Sequence, residues 1–232
     1  MKAPDKKWTD LQEAHELYCA GHLMEAACAY YEATGKDRFL KLMEKNGNCI
    51  YRRFMEACPR GFSGHPEIEL ALMRLYRATG NEKYKELCAH FIDVRGQEPN
   101  YFIEEQKTRG WNVWGNDSLD TDYTQSTKPV REQKDAVGHA VRAVYLYTGM
   151  ADLAKESGDE SLKAACKTLW DSITKRRMYV TGASAPPSSA RPSPWTTTCP
   201  TPRSTPRPAP PSGSSSSPGA CWSWSPRVST AT

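Results

Sequence analysis

The sequence predicts an all-α fold, a partial α/α toroid of helical hairpins, followed by a disordered Pro/Ser-rich tail. Three observations carry this. Residues 1–181 read as helix after helix, with apolar residues recurring at helical spacing. A Y-x-x-T-G phrase closes a helix-like stretch three times. The composition then changes abruptly at Gly182.

Taken in order, a first helix spans residues 10–19, with Thr9 as its N-cap, and a second spans 22–34 and stops at Gly35. Further helices cover 37–57, 66–79, 82–94, 134–148 and 160–175. In 66–79, Ile68, Leu72, Leu75 and Tyr76 share one face, and Pro66 suits a first-turn position. Gly35, Gly80 and Gly149 suit C-caps, where a left-handed backbone is needed. They end Tyr31-Glu-Ala-Thr-Gly, Tyr76-Arg-Ala-Thr-Gly and Tyr145-Leu-Tyr-Thr-Gly. The first two copies lie 45 residues apart and the next interval is 69, which contains a loop-like insertion at 111–128. Helical hairpins stack because none buries its apolar face alone. An interval longer than the roughly 34 residues of a tetratricopeptide repeat favours a closed ring over an open solenoid.

The tail, residues 182–232, holds 12 of the 17 prolines and no Asp, Glu, Lys or Leu, too little apolar matter to offset its ordering entropy. Its four arginines (Arg191, Arg203, Arg207 and Arg227) account for the whole net charge of +4. The helical part is therefore neutral, which gives no reason to expect a nucleic-acid partner. No apolar run approaches the roughly 18–20 residues of a membrane-spanning helix, and no apolar stretch of a signal peptide follows the first lysines. None of the eight cysteines forms a C-x-x-C pair. Reduced thiols in a cytoplasmic protein follow, with no clustered metal site expected in this chain.

The histidines carry the chemistry that can be read. His15 lies in His15-Glu16-Leu-Tyr-Cys-Ala-Gly-His22, His65 precedes Pro66 at a helix entrance, and His139 follows Gly138. A neutral imidazole both donates and accepts, which suits sugar hydroxyls or proton transfer, although a single histidine is more often structural. Glu16 and Glu67 stand near two of them, but a catalytic carboxylate pair does not follow from text. Trp111 and Trp114 could stack on a sugar or simply pack. Lys175, Arg176 and Arg177 fit a solvated helix end. There is no phosphate-binding Gly-rich loop, no G-x-S-x-G and no second zincin histidine. Two other functions stay open: an α-helical repeat module binding a protein partner in a groove of Y-x-x-T-G hairpins, and a toroidal lyase or epimerase using His139 with another ionisable group. The distances among His15, His65 and His139 discriminate, because a glycosidase needs all three around one concavity.

The phrases HELYCAGHLMEAACAYYEATGK, SGHPEIELALMRLYRATG, PVREQKDAVGHAVRAVYLYTGMADLA and ITKRRMYVTG together resemble the catalytic domain of glycoside hydrolase family 127, the β-L-arabinofuranosidases, from about Trp8 to Gly182. The resemblance implies an (α/α)6 toroid, a saccharide carrying a terminal β-L-arabinofuranosyl unit as partner, and hydroxyl contacts from His15, His65 and His139. Where the family often has a His before Lys-Pro, this chain has Thr127, so one pocket-edge contact is not implied. The family's retaining chemistry uses a cysteine thiolate held on zinc as nucleophile and a Glu as acid/base. In the family the acid/base lies in a GEAF-like motif beyond MYVTG, two zinc ligands lie in an ETC motif further on and the nucleophile comes later still; here MYVTG is followed by Ala183-Ser-Ala-Pro-Pro. The resemblance thus implies a chain truncated at both ends, without catalytic residues, without a zinc site, inactive and poorly stable, and it leaves the oligomeric state open.

The tail itself reads as this family's continuation in another frame. Joining the last base of each codon to the first two of the next permits GIGSTVIGEAFTVDYDLPNA, two further residues, then YTETCASIGLIFFARRMLELE. The Glu codon of GEAF then straddles Ala190 and Arg191, and the Cys codon of ETC straddles Pro208 and Ala209. The alternative is a genuine proline-rich linker or a ligand for proline-recognising domains. The nucleotide sequence across codon 182 decides: a one-base shift restoring these motifs is expected, and an uninterrupted gene with no such alternative frame contradicts it.

Overall fold

In the computed structural model, which describes residues 4–113 and 120–178, helices α1 (Glu16–Thr34), α2 (Arg38–Arg52), α3 (Ile68–Thr79), α4 (Glu82–Val94), α5 (Tyr101–Thr108), α6 (Ala140–Ser157) and α7 (Glu160–Arg176) follow one another. Three antiparallel hairpins result, α1–α2, α3–α4 and α6–α7. The first helices of the hairpins, α1, α3 and α6, lie side by side with α3 in the middle; α2, α4 and α7 back them. This is the inner-and-outer arrangement of an α/α toroid, with three hairpins of the ring present among the described residues. Residues 182–232, expected from the sequence to be disordered, lie outside them, as does Trp114.

Sequence periodicity explains the packing. In α2, Leu40, Met43, Gly47 and Ile50 form the buried stripe. The middle helix α3 is buried on more than one face, through Ile68, Glu69, Ala71, Leu72, Met73 and Leu75. Its neighbours α4 and α6 contribute Leu87, Phe91, Leu146 and Met150 to the same core. Gly35 and Gly80 sit in the left-handed region, at φ 68° and 71°, and their N–H groups donate to Tyr31 and Tyr76 carbonyls. The first two Y-x-x-T-G phrases are therefore true helix stops.

Several boundaries differ from the sequence reading. The third phrase is no stop: α6 runs through Gly149 and ends at Gly158, which has φ 68°. The expected helices 10–19 and 22–34 are not two helices. Residues 11–14 form a turn, and α1 runs unbroken from Glu16 through Gly21. One physical cause covers both. A Cβ at Gly21 would lie 2.7 Å from Glu67 Cγ and 3.1 Å from the Ile68 nitrogen, and one at Gly149 would lie 2.8 Å from Glu69 Cβ. These glycines are not caps; they let α1 and α6 approach the start of α3 from either side. Thr9 caps nothing at this point; the Asp10 carboxylate accepts from the Glu13 N–H instead, at 3.1 Å. Pro66 precedes the helix rather than opening it, and residues 134–138, expected to be helical, are irregular. Helix α5 was not expected; Asn100 caps it by accepting from the Phe102 N–H at 3.0 Å.

Gly149→Ala tests the close approach. Crowding at the contact costs about 1–3 kcal/mol, against roughly 1 kcal/mol gained by alanine in a helix interior. Urea unfolding should show a net loss of stability, and a more stable variant would contradict the packing role.

Candidate functional site

The first residues of the three inner helices lie at one end of the partial ring, and each of these ends carries one of the histidines singled out above. His15 is the N-cap of α1, His139 is the N-cap of α6, and His65 stands just ahead of α3. The structure brings all three together. The His15 and His65 ring centroids are 5.3 Å apart, and those of His65 and His139 are 6.1 Å apart. A small cleft opens beside His15 and His65, lined also by Asp10, Tyr18 and Ser63.

His15 holds a left-handed backbone, φ 57° and ψ 18°, uncommon for a residue with a Cβ and worth roughly 1–2 kcal/mol of strain. Such strain persists where surrounding contacts over-determine it, often at functional positions.

Hydrogen bonds fix the imidazole tautomers. His65 Nδ1 lies 3.0 Å from the Pro66 carbonyl and His15 Nδ1 contacts the Glu13 carbonyl; a carbonyl only accepts, so both carry hydrogen on Nδ1 and leave Nε2 as an acceptor. His139 Nδ1 accepts from the Arg142 N–H at 3.4 Å, which places its hydrogen on Nε2. Two acceptors and one donor thus belong to the trio. Burial pushes the His65 imidazole down to about 3, helped by Arg142, His15 and His139, so it is neutral at physiological pH.

Sequence reasoning missed the aromatic neighbours. Tyr18, one turn along α1, has its ring centroid 4.4 Å from both His65 and His22. Tyr145 of α6 is 5.9 Å from His65 and from His22. Tyr123 stands edge-on to His139 at 5.3 Å. Tyr18 follows His15 by three residues and Tyr145 follows His139 by six, so helical spacing was a signal for at least the first.

The carboxylates near the histidines do other work. Glu16 accepts from the Trp8 N–H at 2.6 Å. Glu67 is 1% exposed and lies 3.3 Å from His22 Nδ1. Burial, with Glu25 and Glu69 nearby, raises its carboxyl to about 8. Trp111 is tied away from the cleft: its indole N–H donates to Thr9 Oγ1 at 3.0 Å, and Lys6 lies over its ring. Thr127 is exposed and bonds to Asp122 and Thr121. Lys175 and Arg176 pair on the surface with Asp171 and Asp135. The six described cysteines are free thiols, and burial raises those of Cys28 and Cys166 to about 11. Among the described residues, no group of three or more His, Cys, Asp or Glu is placed to hold a metal ion. No helix among them is long and apolar enough to cross a membrane.

The stacked hairpins are those of part of an α/α toroid, and comparison with known proteins makes the family specific. The family described as "Beta-L-arabinofuranosidase, GH127 catalytic domain" matches residues 1–196. A non-reducing end β-L-arabinofuranosidase of Bifidobacterium longum subsp. longum is 42% identical over 177 residues, covering 75% of this chain and 27% of the relative. The crystal structure of a GH127 β-L-arabinofuranosidase from Geobacillus stearothermophilus T6 superposes with a TM-score of 0.75 at 54% identity, over 80% of this chain and 29% of that one. A second solved GH127 β-arabinofuranosidase gives 0.65 at 38% identity, over 79% and 26%. The chain belongs to the β-L-arabinofuranosidases of glycoside hydrolase family 127. It spans less than a third of the length of each of these relatives.

Glu67 supplies a pH test. Its folded pKa of about 8 lies above the ordinary 4.5, so its contribution to stability is complete below pH 4.5 and is lost as pH rises through 8. Glu67→Gln mimics the protonated acid. The unfolding free energy of the wild type relative to this variant should fall between pH 5 and pH 8 by on the order of 1–3 kcal/mol. A difference independent of pH would show that Glu67 is ionised throughout.

Proposed function

We propose that this chain forms one wall of a pocket for a terminal L-arabinofuranosyl unit, and that these 232 residues by themselves bind the sugar without cleaving it. The observation that carries the reading is the convergence of His15, His65 and His139 at the ends of three inner helices, half-buried, with His65 between the other two rings. A furanose presents hydroxyls that both donate and accept, and a trio with two acceptor nitrogens and one donor matches that pattern. His65 stays neutral, which keeps its Nε2 lone pair available for a hydroxyl hydrogen. Tyr18 and Tyr145 add rings and hydroxyls beside the same histidines. Membership of a family whose relatives carry β-L-arabinofuranosidase names supports the choice of sugar.

Zinc fits poorly here. The described residues offer no donor set for it, and the GEAF and ETC motifs are absent from the sequence. No bond-breaking step is therefore assigned to any residue of this chain, and binding is the whole of the proposed activity. The repeat-module alternative needs a groove lined by the Y-x-x-T-G hairpins rather than histidines facing one another, and the short His15–His65 and His65–His139 distances favour the sugar reading.

Isothermal calorimetry with methyl β-L-arabinofuranoside should show binding that His65→Ala weakens at least tenfold. An aryl β-L-arabinofuranoside should release no L-arabinose. Release by the purified chain would refute the second half of the proposal, and equal affinity of wild type and variant the first.

A further inference from the structure

We infer that Arg142 is the positioning residue of this site: one buried guanidinium sets the spacing of His15, His65 and His139 by gripping the chain beside each of them. Its relevance to sugar binding rests on the reading given above; its geometry does not.

Arg142 is 2% exposed and projects from the first turn of α6. Its Nη1 donates to the Gly64 carbonyl at 3.0 Å and to the Gln12 carbonyl at 3.5 Å. Its Nη2 donates to the Glu13 carboxylate at 3.0 Å. The guanidinium carbon lies 4.6 Å from the centre of the Tyr123 ring, which stands against His139. Each arm ends next to a histidine. Gly64 directly precedes His65. Glu13 holds Arg142 with its carboxylate and His15 Nδ1 with its carbonyl. The backbone N–H of Arg142 itself bonds His139 Nδ1.

From α6 these arms reach residues 12–13, Gly64 and the ring of Tyr123. The planar fork reaches two carbonyls and a carboxylate in different directions, which a lysine ammonium on a flexible stem does not reproduce. The charge acts as well as the shape, because Arg142 is among the groups that keep His65 neutral. The other groups facing His65 are His15, His139, Tyr18, Tyr145 and the Pro66 carbonyl. Its side-chain hydrogen bonds go to Gly64, Gln12 and Glu13, so it acts through the segments that carry the imidazoles.

The test uses the full chain with 15N-labelled histidine, in wild type, Arg142→Lys and Glu13→Gln. Ring nitrogen shifts report tautomers, and ring-to-ring nuclear Overhauser effects report the His15–His65 and His65–His139 pairs. Arg142→Lys should weaken both pairs and lower affinity for methyl β-L-arabinofuranoside at least tenfold, with helix content retained by circular dichroism. Glu13→Gln cuts one arm only. It should perturb the His15 nitrogens and the His15–His65 effect while leaving His65–His139 intact, a selective response that a merely structural role would not give. If Arg142→Lys fails to fold, Glu13→Gln decides alone. Unchanged His15 signals in Glu13→Gln, or intact pairs in a folded Arg142→Lys, would overturn the inference. If the wild type binds no sugar but the pairs respond as stated, the positioning role stands and the sugar reading falls.

Discussion

The site depends on buried charged side chains that hold loop backbone in place. Loops normally run over the surface, because a buried loop must still satisfy its N–H and C=O groups. Here residues 8–15 and 61–67 are drawn under the ends of the inner helices, and buried ionisable side chains meet their polar atoms. Glu105 of α5 accepts from the Leu11 and Gln12 N–H groups at 2.8 and 3.3 Å. Arg95, fully buried, donates to the Ser63 and Thr124 carbonyls and pairs with Glu69 at 3.2 Å. Arg109 joins Glu105 to Asp10. Arg142 closes the set. Breaking one partner of such a buried pair costs about 3–5 kcal/mol, which makes these contacts a specification of loop geometry more than a source of net stability.

Helical hairpins give this frame its purpose. When α1, α3 and α6 run side by side, their first turns come to one end, and residues at equivalent places in three distant stretches of sequence become neighbours. Two glycines make the spacing close enough. Gly21 and Gly149 bring the flanking inner helices α1 and α6 against residues 67–70 at the start of α3. The histidines are thus assembled by packing, not by any local motif, and their tautomers are set by carbonyls and an N–H of the same helix ends.

Much of this was legible in the text. Apolar spacing alone gave α4 and α7 to within a residue at either end, and Gly35 and Gly80 were correctly read as helix stops. The three histidines stand out in the sequence by their chemistry; only His65 reads as lying at a helix entrance, and the structure moves His15 and His139 from helix interiors to N-caps. What stayed hidden depends on neighbours that a sequence does not show. A glycine between helical stretches reads the same whether it turns left-handed, as Gly80 does, or admits another helix, as Gly149 does. Nothing local in the sequence marks Arg142 as lying under Gln12 and Gly64. Helix α5 is short and weakly patterned, and it owes its place to the Asn100 cap and to the strap that Glu105 holds.

The central claim is that three imidazoles from three hairpins surround one ligand. Titration of the 15N-histidine-labelled wild-type chain with methyl β-L-arabinofuranoside tests it most directly. The side-chain resonances of His15, His65 and His139 should move together along a single isotherm, while His90 on α4 stays still. Movement of only one of the three, or three unrelated affinities, would contradict the account.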